Sequence, residues 1–525
     1  MALGKNLRKG LGSLTAVPLL IAIVIAVNLI GLFIFTRFDL TQAHLYSLSP
    51  ASRHLAESLD DPIVVKLYFS EDLPAPYNAN ARYLKDQLYE YRAYSGGKLH
   101  FEFIDPTKTD REKEAQGLGI PPMQVQSYEK DKVELKKVYM GVAFLYADKH
   151  EIIPVVQSTS NLEYEISSAI RKITARTVPV VGFLSGHGEP ALSDQMQTVS
   201  QSLQQLYDTR AVSIRPGRLI DSTISTLLII GPADSIKAWD QYAIDQFLMH
   251  GGKLGVFYDP VSTDLQKQEA TDRHTNWPGF LAHYGIRVTS GLVLDTRCAK
   301  IGVTQTQGFI RFQNVVEYPF MPEVHRFNKD VLIGKDLEQV DFPFVSPLDT
   351  TLADSVGAAF HPICWSSEHT GLRRMPYYIS PMQPFEKASF DRKGQVLAGV
   401  IQGAFTSAFT QGPPADSGVN TATLPPTLSK IEDSRIVVIG DADFCSDQGV
   451  RSGSNLEFFM NIVDWLSQEE GLITIRSRDV TTRPLVEVSD GTKQLIKYAN
   501  VFGPPFLVIV FGVWRWQSRR RRKLG

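Results

Sequence analysis

Cysteine is nearly absent. The chain has 525 residues and 3 cysteines, Cys298, Cys364 and Cys445. They lie far apart and form no CxxC and no Cys/His cluster. That excludes a zinc ribbon, a dithiol redox centre and a disulfide framework, and leaves room for one disulfide at most. Net charge is scarce too: 54 basic against 56 acidic side chains leave −2. A balance so near zero excludes the basic footprint of a nucleic-acid-binding protein. An apolar content of 43% with 10% aromatics excludes an acidic disordered chain. A mean hydropathy of −0.10 excludes a polytopic membrane protein, though not one or two spans. The P-loop is missing: the Gly-Lys pairs at Gly4, Gly97, Gly252 and Gly334 are followed by Asn, Leu or Asp, never Ser or Thr. Any ATP must therefore be hydrolysed by a partner. No Gly-x-Cys-x-Gly or Gly-x-Ser-x-Gly elbow occurs, and no Asn-x-Ser/Thr sequon.

What is present is unevenly placed. Residues 1–16 carry Lys5, Arg8 and Lys9 with no acid, and residues 515–525 carry Arg515, Arg519, Arg520, Arg521, Arg522 and Lys523 with no acid. Each basic tail abuts an apolar run. Val17–Phe35 holds 19 uncharged residues, a helix of about 29 Å, close to the hydrocarbon thickness. Tyr498–Trp514 is interrupted by Pro504 and Pro505, which membrane helices tolerate better than soluble ones. The pattern predicts two transmembrane helices, at 17–36 and 498–516, with cytoplasmic tails at 1–16 and 517–525 by the positive-inside rule. Everything between would then be extracytoplasmic, in or on a bacterial inner membrane. Asn28 and Gly31 lie one turn apart in the first run and suit helix–helix contact as well as a tolerated lone Asn. The cluster Arg519–Lys523 would also bind anionic lipid headgroups.

The intervening region reads as tandem α/β domains. After a membrane-proximal linker at 37–60, residues 61–160 alternate strands and a helix in a small domain of thioredoxin-like content without the redox motif. Residues 161–296 and 431–470 carry continuous apolar strands such as Thr226–Ile230 and Arg435–Ile439 alternating with helices. That pattern predicts a parallel sheet covered on both faces. Residues 297–430 read as an insertion carrying a mobile Pro/Gly-rich loop at 411–427, and 471–497 as a linker. The chemistry of such sheets sits at the carboxyl ends of the strands, so the turns there come first. His187 and Glu189, in Ser185-Gly186-His187-Gly188-Glu189-Pro190, could orient a general base or contact a ligand. The same residues also make an ordinary strand-end turn, with glycines for the bend and Pro190 opening the next helix. Asp441, Asp443 and Asp447 could hold a cation with carbonyl help, but the spacing lacks the distal bidentate Glu of a calcium loop, and loop capping serves equally well. No metal and no cofactor is expected. Cys445 has no basic neighbour in sequence to lower its pKa. Asp105-Pro106 and Asp259-Pro260 read as turns that end strands.

Six stretches in order resemble a known family: DLTQAHLYSLSPAS (39–52), NLEYEISSAIRKIT (161–174), FLSGHGEP (183–190), YGIRVTSGLVLD (284–295), LAGVIQGAFTSAF (397–409) and GDADF with NLEFFMNIVDWL (440–466). They are similar to the GldG-type auxiliary proteins of ABC-2-type transporters, associated with gliding motility. The resemblance implies that the parallel-sheet second domain has a flavodoxin or class I amidotransferase-like fold, and a place beside an ABC-2-type permease and a cytoplasmic ABC ATPase, in export, surface or motility processes. It supplies no substrate and no catalytic residues. The expected function is thus a non-catalytic auxiliary membrane subunit, as a homo- or hetero-oligomer. The alternatives are a ligand-binding or hydrolytic module using the His187/Glu189 turn, and a passive envelope scaffold.

Overall fold

The computed structural model describes residues 47–476, apart from 76, 109–110, 130–131, 160, 176, 308–309, 336, 354–357, 415–423 and 468–469, together with 497, 498, 500, 502, 511, 512, 514 and 515. The chain divides into two units, 1–480 and 481–525.

The first unit opens on helix α1 (Pro50–Glu57). Its start is encoded by Ser49-Pro50: the Ser49 hydroxyl accepts from Ser52 N at 3.1 Å and Pro50 supplies a preset first-turn φ. A four-stranded sheet follows, built from β1 (Ile63–Phe69), β2 (Leu99–Ile104), β3 (Met140–Tyr146) and β4 (Lys149–Ile153) in the order β2-β1-β3-β4. Strands β1 and β2 are parallel, joined through helix α2 (Tyr77–Tyr94), and the other pairs are antiparallel. Helix α3 (Leu162–Thr174) packs its apolar stripe of Leu162, Ile166, Ile170 and Ile173 into this layer's core.

An eight-stranded sheet comes next. Its members are β5 (Val180–Leu184), β6 (Asp208–Val212), β7 (Ile224–Ile230), β8 (Lys253–Phe257), β9 (Arg326–Phe327), β10 (Ala358–Trp365), β11 (Val396–Thr406) and β12 (Lys430–Ile439), in the spatial order β9-β10-β11-β12-β8-β7-β5-β6. The five strands from β12 to β6 are parallel. Strands β9, β10 and β11 run antiparallel to their neighbours. Helices cover both faces: α4 (Gln197–Gln204) and α7 (Asn455–Leu466) on one side, α5 (Ala238–Met249) and α6 (Trp277–His283) on the other. A final helix, α8 (Glu470–Arg476), places Leu472, Ile473 and Ile475 in the same core as α7.

Two expectations are corrected here. The sheet is not purely parallel: β10 and β11 fall inside the stretch 297–430 expected as an insertion, and their main-chain ladders extend the central sheet. Their sequence hides this, because β10 carries a proline and a register shift at Pro362 and so breaks the period of a buried strand. Nor do the described residues support transmembrane helices flanking the domains. Among the described residues no helix is long and apolar enough to cross a membrane. The most apolar, α7, has 12 residues, about 18 Å against a hydrocarbon core of about 30 Å. The fold is mixed α/β. The span expected at 17–36, with Asn28 and Gly31, lies outside the described residues, as do Lys5, Arg8, Lys9 and Arg519 to Lys523. Of 498–516, the second unit shows only helical positions including Tyr498 and Phe502, with ring centroids 6.1 Å apart, and Phe511 and Trp514, 5.9 Å apart. Much of the loop at 411–427 is also outside the described residues. Its distal end is tied down, with the Thr427 hydroxyl 2.7 Å from the Tyr242 hydroxyl.

Candidate functional site at the carboxyl ends of the central strands

Register places the site. Phe257 lies opposite Ile230 on one side and Ile439 on the other, so β7, β8 and β12 end level. The residues that leave these ends are Gly231, Asp259 and Asp441. The Ser185–Pro190 turn leaves the adjacent β5. The chain runs from β5 outward to β6 and returns to β7 on the opposite side of β5. A crevice opens at such a reversal, beyond the carboxyl ends. Here it is a cavity of about 240 Å³ bordered by Gly188, Pro190, Met196, Gly231, Asp259, Arg273, Asp443 and Ser446. A larger groove of about 740 Å³ shares Gln195, Asp443 and Ser446 with it.

The His187 turn forms one wall, and its imidazole points away from open solvent. Gly186 and Gly188 have φ of +120° and +81°, and a Cβ on Gly188 would come within 2.8 Å of the Ala233 Cβ. Both positions therefore require glycine. The His187 N–H donates to Glu189 Oε2 at 2.7 Å, and Nδ1 lies 3.2 Å from Glu189 Oε1. Nε2 lies 3.0 Å from Asp240 Oδ2, on α5. The His187 carbonyl accepts from the N–H groups of Ala233 and Asp234 at 2.9 and 2.8 Å. Trp277 packs edge-on against the ring at 6.1 Å. Glu189 raises the His187 pKa first and Asp240 adds to this, against the opposing effect of burial. An imidazole held between two carboxylates, with both nitrogens occupied and the residue 5% exposed, is a latch that ties β5 to α5. Glu189 closes its own turn instead of capping the next helix. The decisive partner, Asp240, stands 53 residues downstream, beyond the reach of motif reading.

The acidic side is different. The Ala442 N–H donates to Asp259 Oδ1 at 2.9 Å, and the Asp443 N–H to Asp441 Oδ1 at 2.7 Å, so the exits of β8 and β12 are stitched together. Asp441 is wholly buried and its Oδ2 has no hydrogen-bond partner. Burial pushes its pKa well above the usual carboxylate range, and the charges of Asp259 and Asp443 push it further. Burial likewise pushes Asp259 up to about 7, with Asp443 adding and Arg273 opposing. Asp447 does not join them. It caps the start of α4, accepting from the N–H groups of Gln197 and Thr198 at 3.1 and 2.8 Å. Among the described residues no group of three His, Cys, Asp or Glu side chains has the geometry to hold a metal ion. Cys445 is buried, its thiol donates to the Ala442 carbonyl at 3.2 Å, and burial raises its pKa well above normal. A thiol of that kind is an inert core group. Cys298 and Cys364 are also buried and free.

Asp259 and Arg273 were not legible as site residues. Asp259 reads as a turn that ends a strand, although its place after an apolar parallel strand is the one signal that could mark it. Arg273 follows the short hairpin Val261–Asp264 and Glu269–Asp272 and carries no sequence signal at all.

A family model described as an ABC-type uncharacterized transport system matches residues 178–467. The chain belongs to this family. The match runs from just before β5 to just after α7, so it takes in the whole eight-stranded sheet and the site. A second model, a domain of unknown function, matches residues 42–145. An uncharacterized protein of Borreliella burgdorferi is 24% identical over 505 residues, covering 94% of this chain and 95% of its own length. A solved structure titled "mmIFT52 N-terminal domain" is 12% identical, with a TM-score of 0.33 over 55% of this chain and 97% of that one. At that score it carries no argument about this protein. The family places the chain in a transport-associated auxiliary role.

Proposed function

We propose that this family member is a non-catalytic auxiliary subunit that couples an ABC-2-type permease and its cytoplasmic ATPase to an extracytoplasmic substrate or partner. The observation that carries coupling is the junction of the two ends of the α/β body. Helix α1, at its beginning, and α8, at its end, pack together: a Cβ on Gly471 would meet the Ala51 Cβ at 3.5 Å. Helix α8 is tied to both layers and α1 to the first. The Ser49 N–H donates to Glu163 Oε1 at 2.7 Å, and the Ser52 and Ser167 hydroxyls lie 2.9 Å apart, fixing α1 to α3. The Arg476 guanidinium donates to Asp464 Oδ2 at 2.8 Å, to Asn461 Oδ1 at 2.6 Å and to the Tyr164 hydroxyl at 2.5 Å, fixing α8 to α7 and α3. Force entering at α8 therefore reaches both layers through buried, directional contacts, and force entering at α1 reaches the first through α3 and the second through its packing on α8, the kind of rigid connection that transmits displacement. The occupied His187 and the inert Cys445 support a non-catalytic role.

Purification of the tagged full-length chain from its own cells in mild detergent tests the reading. Recovery of a permease and an ABC ATPase in constant ratio is expected. Recovery of neither, with the chain intact and folded, overturns it.

A further inference from the structure

The cavity at the carboxyl ends of β7, β8 and β12 sets an unpaired guanidinium opposite a group of crowded carboxyls. Arg273 is anchored through its backbone, the N–H donating to the Pro260 carbonyl at 2.7 Å. Its Nε is buried and has no hydrogen-bond partner. Among the described residues no carboxylate pairs with its guanidinium, although its charge is felt by both Asp259 and Asp443. Across the same cavity stand Asp259 and Asp443, with the buried, half-unpartnered Asp441 behind them. An Arg and two Asp that border one small cavity and still do not close an ion pair are held apart by the scaffold.

Each simple occupant fails on this charge pattern. An anion satisfies Arg273 and meets the carboxyls of Asp259 and Asp443. A lone cation satisfies the carboxylates, leaves Arg273 unpaired and is repelled by it. A metal ion lacks a ligand set of suitable geometry among the described residues. A molecule with a positive and a negative group a few bonds apart satisfies both walls, each by charge-assisted hydrogen bonds. The cavity of about 240 Å³ is smaller than the roughly 300–1,000 Å³ of drug-sized pockets, and so suits a free amino acid. Glycines at 188 and 231 bring main chain to its edge. A Cβ on Gly231 would meet the Ala442 Cβ at 3.3 Å, so this wall is built close.

We infer that this cavity binds a free α-amino acid, its ammonium received by Asp259 and Asp443 and its carboxylate by Arg273. The site is independent of the transporter role: it stands or falls whether or not a permease co-purifies.

The test is ligand-observed saturation-transfer NMR on the full-length protein, with each proteinogenic amino acid offered singly at millimolar concentration. At least one is expected to bind. Its amide, which lacks the carboxylate charge, and its deamino acid, which lacks the ammonium, should each bind about ten- to a hundredfold more weakly, the loss of one charge-assisted hydrogen-bonded contact. In Arg273→Gln the acid and the amide should bind alike. In Asp443→Asn, with Asp259 left to receive the ammonium, the gap between the amino acid and the deamino acid should narrow. Failure of every amino acid to bind overturns the inference. So does equal binding of the binder and its two analogues to the wild-type protein, a comparison that needs no variant to fold.

Discussion

The Arg476 node gives the sharpest test of how the body is held together. Arg476→Met keeps much of the side chain's length and removes its charge. The Arg476 and Asp464 side chains are 7% and 0% exposed, so solvent screens neither. The substitution removes three hydrogen bonds, to Asp464, Asn461 and Tyr164, and the stacking of the guanidinium on the Tyr164 ring at 4.5 Å. Asp464 then keeps only the Tyr207 hydroxyl, at 2.6 Å. Breaking a buried pair by removing one partner costs about 3–5 kcal/mol, because the remaining charge is stranded. Burial already pushes the Asp464 pKa up while Arg476 pulls it down, so without the cation it rises further. A carboxylate whose folded pKa exceeds its unfolded value loses stability as pH climbs from the unfolded toward the folded value. The deficit should therefore be larger at pH 8 than at pH 5. Urea denaturation followed by tryptophan fluorescence reads it, since Trp465 adjoins the node. Adding Asp464→Leu to the same chain removes the stranded charge, and the double variant should recover most of the loss. A single-variant cost below about 1 kcal/mol, or a double-variant cost equal to the sum of the singles, would refute the reasoning.

The remaining expectations concern the site. His187→Gln removes an imidazolium that bridges two carboxylates and should cost about 1–3 kcal/mol near pH 6. Since the folded pKa of His187 is raised, that stabilisation is complete below the unfolded value of about 6.5 and fades as pH rises through the folded one, so the wild-type–variant gap in urea midpoints should shrink toward pH 9. Asp441→Asn removes a buried carboxylate with a partnerless oxygen and a raised pKa. It should stabilise the fold by about 1–2 kcal/mol, more at pH 8 than at pH 5, and a lower melting temperature at pH 8 would count against the acidic cluster as drawn. The three thiols are buried and free, so a disulfide-exchange reagent should label none in native protein and all three in guanidinium. Rapid labelling of Cys445 under native conditions would contradict its burial.

Much of the framework was legible in the residues. The apolar run Thr226–Ile230 and the spacing of Leu162, Ile166, Ile170 and Ile173 declare a buried strand and an amphipathic helix because their periods are local. Arg435–Ile439 reads as a buried strand for the same reason and pairs with β8. The sheet's antiparallel half was not legible. In β10 and β11, residues such as Pro362 and Gly403 interrupt the period, and they become strands by pairing with each other and, through β11, with β12. At the site, His187, Glu189, Asp441 and Asp443 were visible as turn residues after apolar strands. Their partners were not. Asp240, Asp259, Arg273, Asp464 and Arg476 become meaningful only through charges brought together over tens to hundreds of residues, and a chain carries no periodic signal for a contact of that span.

Two buried charge groups in one body point to different uses. At Arg476 both terminal guanidinium nitrogens donate to acceptors, the cation stacks on a ring, and Asp464 receives hydrogen bonds at both oxygens. Such a group holds helices in place and asks nothing of solvent or ligand. At the carboxyl ends of the strands, three acids push on one another, one oxygen has no partner, and Arg273 stays unpaired beside them. Folding alone does not favour this arrangement, since apolar or amide side chains of similar size would avoid the desolvation and the repulsion. The His187 latch sharpens the contrast: a few residues away, the same fold satisfies a histidine completely. A body able to neutralise its buried charges at two places and leaving a third open is best explained by a molecule that completes the third.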